Sequence, residues 1–144
     1  MTKLILLVED NASDEKLTTL ALKTCGVANQ VVVARDGAEA LDYLFATGQH
    51  ASRDAAQQPA VVLLDLNLPK IDGIEVLRRI RENPATNSLP VVILTSSKQE
   101  EDIAAGYASG ANAYVRKPVD YADFIEAAKA LGVFWLLLNE TPPP

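Results

Sequence analysis

Polar side chains follow four of the apolar runs in this sequence, at positions where packing requires no polar group. Glu9 and Asp10 come directly after the run at residues 4–8, and Asp65 comes directly after the run at residues 60–64. Thr95 and Lys117 follow two later runs. Carboxylates of this kind can bind a hard metal ion, and one of them can attack phosphorus as a nucleophile.

Five apolar runs of strand length predict the elements that position these side chains. They lie at residues 4–8, 31–34, 60–64, 91–94 and 113–115. Segments with helical spacing separate them, and such alternation predicts a parallel sheet with right-handed crossovers and helices on both faces. We therefore expect one doubly wound α/β domain over residues 1–144, with a five-stranded parallel sheet in the strand order 2-1-3-4-5.

Residues that typically cap helix N-termini precede four of the helical segments. They are Asn11 or Ser13, Asp36 with Gly37, Asp72 with Gly73, and Asp120.

In this topology the carboxyl ends of the strands meet at one edge of the sheet, where ligands of open α/β folds bind. Strands 1 and 3 are neighbours in the predicted order, so Glu9, Asp10 and Asp65 should converge there. Thr95 and Lys117 should flank them. Taken singly, these residues could be helix caps, turn formers or solvated charges, but five polar positions on one edge favour a site.

Three carboxylates in one pocket repel one another unless a cation neutralises them. With oxygen donors and no His or Cys nearby, the site should take Mg²⁺, for which Mn²⁺ can substitute. A carboxylate beside Mg²⁺ can become an aspartyl phosphate, and this is the role we predict for Asp65. Lys117 would offset the added charge and Thr95 would donate a hydrogen bond to it.

Composition limits the other functions that the chain could have. Its 144 residues carry a net charge of −6, which argues against broad binding to nucleic acid or anionic lipid. Cys25 is single and, like His50, is assigned no chemistry. No segment is long and apolar enough for a signal peptide or a membrane span, and we expect a cytoplasmic protein.

The motifs "LLVEDN", "VVLLDLNLPKIDG", "VVILTSS" and "AYVRKP", in this order and spacing, resemble the receiver domain of bacterial response regulators. The resemblance covers nearly the whole chain and implies a flavodoxin-like fold of the CheY type. It implies that Asp65 accepts a phosphoryl group from a histidine kinase, and that signalling, not catalysis on another substrate, is the function.

The same resemblance implies roles for further residues. Glu9, Asp10 and Asp65 would hold Mg²⁺ together with the backbone carbonyl of Asn67, and the bond between Lys117 and Pro118 would be cis. Thr95 and Lys117 would contact the phosphoryl group. Thr95 and Tyr114 would form the switch, with Tyr114 at the aromatic position that changes rotamer in the family.

The chain is more narrowly similar to receiver-only regulators that partner phytochrome-type histidine kinases. The segments behind this similarity are "VEDNASD", "DLNLPK", "ENP", "LTSSKQEEDI" and the late "FW". With no attached output domain expected, output would pass through an unknown downstream protein, a phosphorelay or self-association.

Other classes of protein remain as alternatives on the same fold. An aspartate-nucleophile phosphatase usually has an Asp-x-Asp motif after the first strand, which "VEDNAS" lacks. A flavodoxin-like FMN protein needs phosphate donors in this loop, where Glu9 and Asp10 would repel a phosphate. A pseudo-receiver that acts only as a docking module would typically have lost an acid or the lysine.

The last helix, expected at about residues 120–139, changes character along its length. Phe124, Ile125, Ala128 and Leu131 form an inward stripe that Trp135 and Leu138 should continue. The segment "LGVFWLLLN" is apolar on every side, which predicts a covered surface. It could fold back over its own domain, but similarity to the phytochrome-partner receivers favours a homodimer through Val133, Phe134, Trp135 and Leu137.

Overall fold

The structure, a computed structural model, describes residues 4–24, 30–96, 99–118 and 120–140. Strands and helices alternate along the chain in the predicted way. The strands are β1 (Leu4–Val8), β2 (Gln30–Ala34), β3 (Val61–Leu64), β4 (Val91–Thr95) and β5 (Ala113–Arg116). The α-helices are α1 (Ala12–Thr24), α2 (Gly37–Phe45), α3 (Gly73–Glu82), α4 (Glu100–Ala108) and α5 (Tyr121–Val133). A 3-10 turn lies at Gly48–His50, and a π-helical segment at Phe134–Leu138 follows α5.

All five strands form one parallel sheet in the order β2-β1-β3-β4-β5. The predicted fold class and strand order are therefore confirmed. In the register of the sheet Val8 lies between Ala34 of β2 and Leu64 of β3. The residues that follow β1 and β3 consequently emerge side by side at the same edge.

The apolar strands do not alternate with polar residues because helices cover both faces of the sheet. Leu6 and Val8 of β1 face one core, which helices α2 and α3 also line with residues such as Leu41 and Leu77. Ile5 and Leu7 face the other core, together with Leu22 of α1 and Leu136 from the π-helical segment.

Side-chain caps fix the helix starts that matter for the site. The Asn11 side chain accepts a hydrogen bond from the Asp14 amide at 2.9 Å, so Asn11 and not Ser13 caps α1. Asp36, Asp72 and Asp120 cap α2, α3 and α5 as predicted. Helix α1 begins at Ala12, shortly after β1 ends at Val8, and α3 begins at Gly73, after the loop that follows β3, so both helices start at the edge that carries the acids.

The C-terminal segment differs from the predicted inward stripe. Leu138 is 68% exposed, whereas Leu136 is 1% exposed and belongs to the core. The prediction that Leu138 faces inward is wrong because the helix widens after Val133. The Asn139 amide donates to the carbonyl of Phe134, five residues earlier, and this π turn rotates later side chains out of α-helical phase.

His50 and Cys25 were assigned no chemistry from the sequence. The His50 ring packs edge-on against Tyr43, with ring centroids 5.2 Å apart. Cys25 lies outside the described residues. Over the described ranges, none of the helices has the length and apolar character that crossing a membrane requires.

Candidate functional site

The sheet itself positions the polar residues, because its hydrogen-bond ladder continues past the strand ends. The Glu9 amide donates to the Ala34 carbonyl at 2.9 Å, and the Asp65 amide donates to the Val8 carbonyl at 3.1 Å. The Lys117 amide donates to the Thr95 carbonyl at 2.7 Å. These side chains therefore occupy positions set by the backbone of a rigid parallel sheet.

Asp65 lies at the centre of the site with both carboxylate oxygens engaged. Its Oδ1 accepts a hydrogen bond from the Thr95 hydroxyl at 2.9 Å and another from the Asn67 amide at 3.1 Å. Its Oδ2 accepts from the Lys117 ammonium at 2.9 Å. Asp65 and Lys117 are only 7% and 8% exposed, and Thr95 is fully buried. The structure thus brings together the predicted acceptor and the two residues predicted to contact its phosphoryl group.

The Lys117 ammonium binds two further carboxylates. It donates to Glu9 Oε1 and, at 2.8 Å, to Asp14 Oδ2. Asp14 was not among the residues predicted from the sequence. Its signal was weak, because an acid in the first turn of a helix is usually explained by the helix dipole.

Burial in this cluster shifts the pKa values of its members. Burial away from water raises the pKa of Glu9 to about 7, with the Asp65 charge acting in the same direction and Lys117 opposing it. Burial also opposes ionisation of Asp65, but the bonds from Lys117 and the Asn67 amide outweigh it, and its pKa is lowered. For Lys117, burial opposes the charged form, while bonds to Asp14, Glu9 and Asp65 prevail and raise its pKa.

Without metal, the protein should lose stability as pH rises through the range in which Glu9 ionises. An unperturbed glutamate has a pKa of 4.5, which we take for Glu9 in the unfolded chain, whereas folding raises the pKa of Glu9 to about 7. Between these values the folded state binds more protons than the unfolded state, so the free energy of unfolding falls with rising pH. We expect a loss of about 1 to 3 kcal/mol, measured by urea unfolding in chelator.

Glu9→Gln should remove most of this slope, because its side chain does not titrate. The lowered pKa of Asp65 makes stability vary with pH only below its ordinary value of 3.8, and the raised pKa of Lys117 does so only above its ordinary value of 10.5, so neither group contributes to the slope near neutral pH. An equal slope in parent and variant would assign the pH dependence to other groups.

Three carboxylates can hold a divalent cation at this edge. One oxygen from each of Glu9, Asp10 and Asp65 lies within 4.8 Å of the others. Asp10 is exposed, so a bound ion would keep access to solvent, and the donors are all oxygen atoms. The set therefore fits a hard ion that retains water ligands, such as Mg²⁺.

The predicted cis bond before Pro118 is wrong for this structure. No peptide bond among the residues that the structure describes is cis, and the bond from Lys117 to Pro118 is therefore trans. Trans is the preferred form of such bonds by about 0.5 to 1 kcal/mol. Lys117 donates its hydrogen bonds to Asp14 and Asp65 while the peptide bond before Pro118 is trans.

Tyr114 lies on β5, partly buried against the core that contains Leu41 and Leu77. Its ring faces α4 at Gly106, where an added Cβ would lie 3.3 Å from Tyr114 Cδ2. The structure therefore places Tyr114 between the sheet and α4, and its part in a switch stays a prediction.

Comparisons with known proteins agree with this architecture. The family model for the response regulator receiver domain matches residues 5–129. The response regulator Rcp1 from Synechocystis sp. is 39% identical over 134 residues, which cover 93% of this chain and 89% of Rcp1. The crystal structure of its Mn²⁺-bound form has a TM-score of 0.90, and the matched region covers 98% of this chain and 99% of that chain.

Two further solved structures are similar over almost the whole chain. The phosphorylated cyanobacterial phytochrome response regulator RcpA is 40% identical with a TM-score of 0.92, covering 99% of this chain and 100% of RcpA. The bacteriophytochrome response regulator AtBRR is 54% identical with a TM-score of 0.76, covering 97% of this chain and 99% of AtBRR. The chain belongs to the family of response regulator receiver domains and is a homologue of phytochrome response regulators.

Proposed function

We propose that Asp65 accepts a phosphoryl group from a phosphohistidine of a histidine kinase in a reaction that requires Mg²⁺. The observation that carries the proposal is the position of Asp65, whose two oxygens lie between Thr95, Lys117 and the carboxylates Glu9 and Asp10. One oxygen of Asp65 would form the new bond to phosphorus while the bond from phosphorus to the histidine nitrogen breaks.

Glu9, Asp10, Asp65 and the Asn67 carbonyl would hold the cation, and Mn²⁺ could replace Mg²⁺. When bound, the ion would screen the charge of the carboxylates and of the incoming phosphoryl oxygens. The existence of a Mn²⁺-bound form of Rcp1, a relative with the same fold, supports this assignment. The Thr95 hydroxyl and the Lys117 ammonium would donate to the phosphoryl oxygens once they are in place.

On this proposal the protein is a signalling phosphoacceptor, not an enzyme that acts on other substrates. Its own chemistry is Mg²⁺-dependent self-phosphorylation and the later hydrolysis of the aspartyl phosphate. The proposal includes the cytoplasmic location expected from the sequence.

We propose a phytochrome-type histidine kinase as the phosphoryl donor. The support is that RcpA and AtBRR are phytochrome and bacteriophytochrome response regulators and are similar over almost the full chain. In a phosphotransfer time course against the histidine kinases of the source organism, we expect the phytochrome-type kinase to label the protein fastest. A different kinase that labels it faster would contradict the assignment.

Thr95 and Tyr114 would transmit the structural effect of phosphorylation to the protein surface. Movement of the Thr95 hydroxyl toward the phosphoryl group would open space near β4 and β5, into which the Tyr114 ring would turn. Because the Tyr114 ring lies against α4 at Gly106, this motion would alter the contact between β5 and α4. A downstream protein or a phosphotransfer partner would read the altered surface.

We also propose a two-fold symmetric homodimer through the C-terminal segment. Phe134 is 44% exposed and Leu137 is 62% exposed, and Leu138 adds to this apolar surface. Val133 and Trp135 are partly buried. Trp135 packs on the core of its own domain and contacts the Phe134 ring edge-on, so it would hold Phe134 in place at the interface. An exposed apolar surface of this kind favours closed two-fold association, which would cover it.

Charges in this surface should separate the dimer without unfolding the domain. Phe134→Glu combined with Leu137→Lys changes side chains that already face solvent, and we expect a monomer by light scattering where the parent is a dimer. Tyr107→Glu is the matched control, because Tyr107 is 52% exposed but lies on α4. A monomeric parent, or a double variant that stays dimeric, would exclude this interface.

A further inference from the structure

Asp14 binds Lys117 but lies outside the set of acids that can share a cation. The cation set contains Glu9, Asp10 and Asp65, while the Lys117 ammonium binds Glu9, Asp65 and Asp14. Two of the three carboxylates on Lys117 therefore belong to the cation set, and Asp14 is the third.

An ammonium group has three hydrogens to donate, and these three carboxylates match that number. A divalent cation shared by Glu9 and Asp65 would repel the ammonium and compete with it for the same oxygens. The bond from Lys117 to Glu9 would weaken, because Glu9 Oε1 already accepts from Lys117 and its Oε2 accepts from the Asn11 amide at 3.2 Å, so a metal ion would compete for an oxygen that is already engaged. Asp14 would then be a carboxylate that Lys117 could keep without opposing the metal.

The position of Asp14 is suited to hold the ammonium. Asp14 lies in the first turn of α1, and its backbone amide donates to the Asn11 cap. Its side chain is 27% exposed, against 9% for Asp65. Asp14 is therefore anchored by its backbone at the rim of the pocket and not in its interior.

We propose that Asp14 is a positioning residue that draws the Lys117 ammonium toward the rim of the pocket and so lets Glu9 and Asp65 bind Mg²⁺. The inference rests on the proposed function, which supplies the cation. It assigns Asp14 no contact with the metal or with the phosphoryl group, because its action passes through Lys117.

Calorimetric titration with Mg²⁺ at about pH 8, above the pKa of Glu9, tests this role. Asp14→Asn should weaken Mg²⁺ binding about fivefold or more, because Lys117 would then compete for Glu9 and Asp65 more strongly. Asp14→Glu should retain most of the affinity, since it restores a carboxylate. Far-UV circular dichroism would confirm that each variant is folded.

Two controls separate this role from the loss of one negative charge. Glu15→Gln removes a neighbouring acid of the same helix that pairs with Arg35 and not with Lys117, and it should change the affinity by less than about twofold. In a Lys117→Gln background, Asp14→Asn should also change the affinity by less than about twofold.

The outcomes distinguish this inference from the proposed function. Mg²⁺ binding by the parent, with Asp14→Asn no weaker than Glu15→Gln, overturns the role of Asp14 alone. An equal effect of Asp14→Asn with and without Lys117 also overturns it, because Asp14 would then act on the metal by charge. No Mg²⁺ binding by the parent overturns both proposals.

Discussion

Asp65→Asn is expected to abolish phosphoryl incorporation from acetyl phosphate and Mg²⁺, while the parent gains one phosphoryl group per chain. The carboxamide lacks the nucleophilic oxygen, although it can still accept the hydrogen bonds from Thr95 and the Asn67 amide. Lys117 keeps Glu9 and Asp14 as partners, so the surrounding site should stay assembled. Intact-mass spectrometry of folded protein measures the added group, which should be labile to base.

Asp72→Asn is the matched control for this substitution. It makes the same chemical change at the cap of α3, where asparagine also caps well, and it should leave labelling unchanged. Full labelling of Asp65→Asn would show that another group, such as Asp10 at the same edge, accepts the phosphoryl group.

Gly73→Ala should lower the free energy of unfolding by about 3 kcal/mol, because the added methyl group has no space. An added Cβ would lie 2.5 Å from the carbonyl oxygen of Asp65 and 2.6 Å from the Cα of Leu66. Both are backbone atoms, so the chain that carries Asp65 would have to move. Phosphorylation should slow as well, since Asp65 would shift away from Thr95 and Lys117.

Helix propensity alone predicts the opposite result, which is a gain in stability for Gly73→Ala. Gly73 is the first residue of α3, and alanine is favoured over glycine in helices by up to about 1 kcal/mol. Urea unfolding followed by far-UV circular dichroism measures the difference in stability.

Gly106→Ala in α4 serves as the comparison for Gly73→Ala. An added Cβ there would first meet Cδ1 of Ile93, the end of a side chain, at 2.7 Å. We expect a smaller loss of stability and an unchanged rate of labelling. If Gly73→Ala were as stable as the parent, the backbone near Asp65 would be more adaptable than its packing indicates.

The sequence by itself determined the fold and which acidic residues lie together at the site. Strand-length apolar runs alternate with helical segments, and this pattern admits few arrangements other than a doubly wound sheet. Once the order 2-1-3-4-5 is assumed, the carboxyl ends of β1 and β3 must be adjacent, so Glu9, Asp10 and Asp65 converge. Local chemistry also predicted the caps Asp36, Asp72 and Asp120, because capping depends on neighbours in sequence.

Only the tertiary structure decided features that depend on distances between remote parts of the chain. The bond between Asp14 and Lys117 joins residues more than a hundred positions apart, and an acid in the first turn of a helix is only a weak signal of such a contact. The exclusion of a side chain at Gly73 depends on how closely α3 approaches the backbone of Asp65. Leu136 and not the predicted Leu138 lies in the core because a π turn follows Val133. The sequence-based prediction used the α-helical spacing throughout, and a π turn changes that spacing. Periodicity and local capping are encoded by near neighbours, whereas these contacts depend on how whole elements pack.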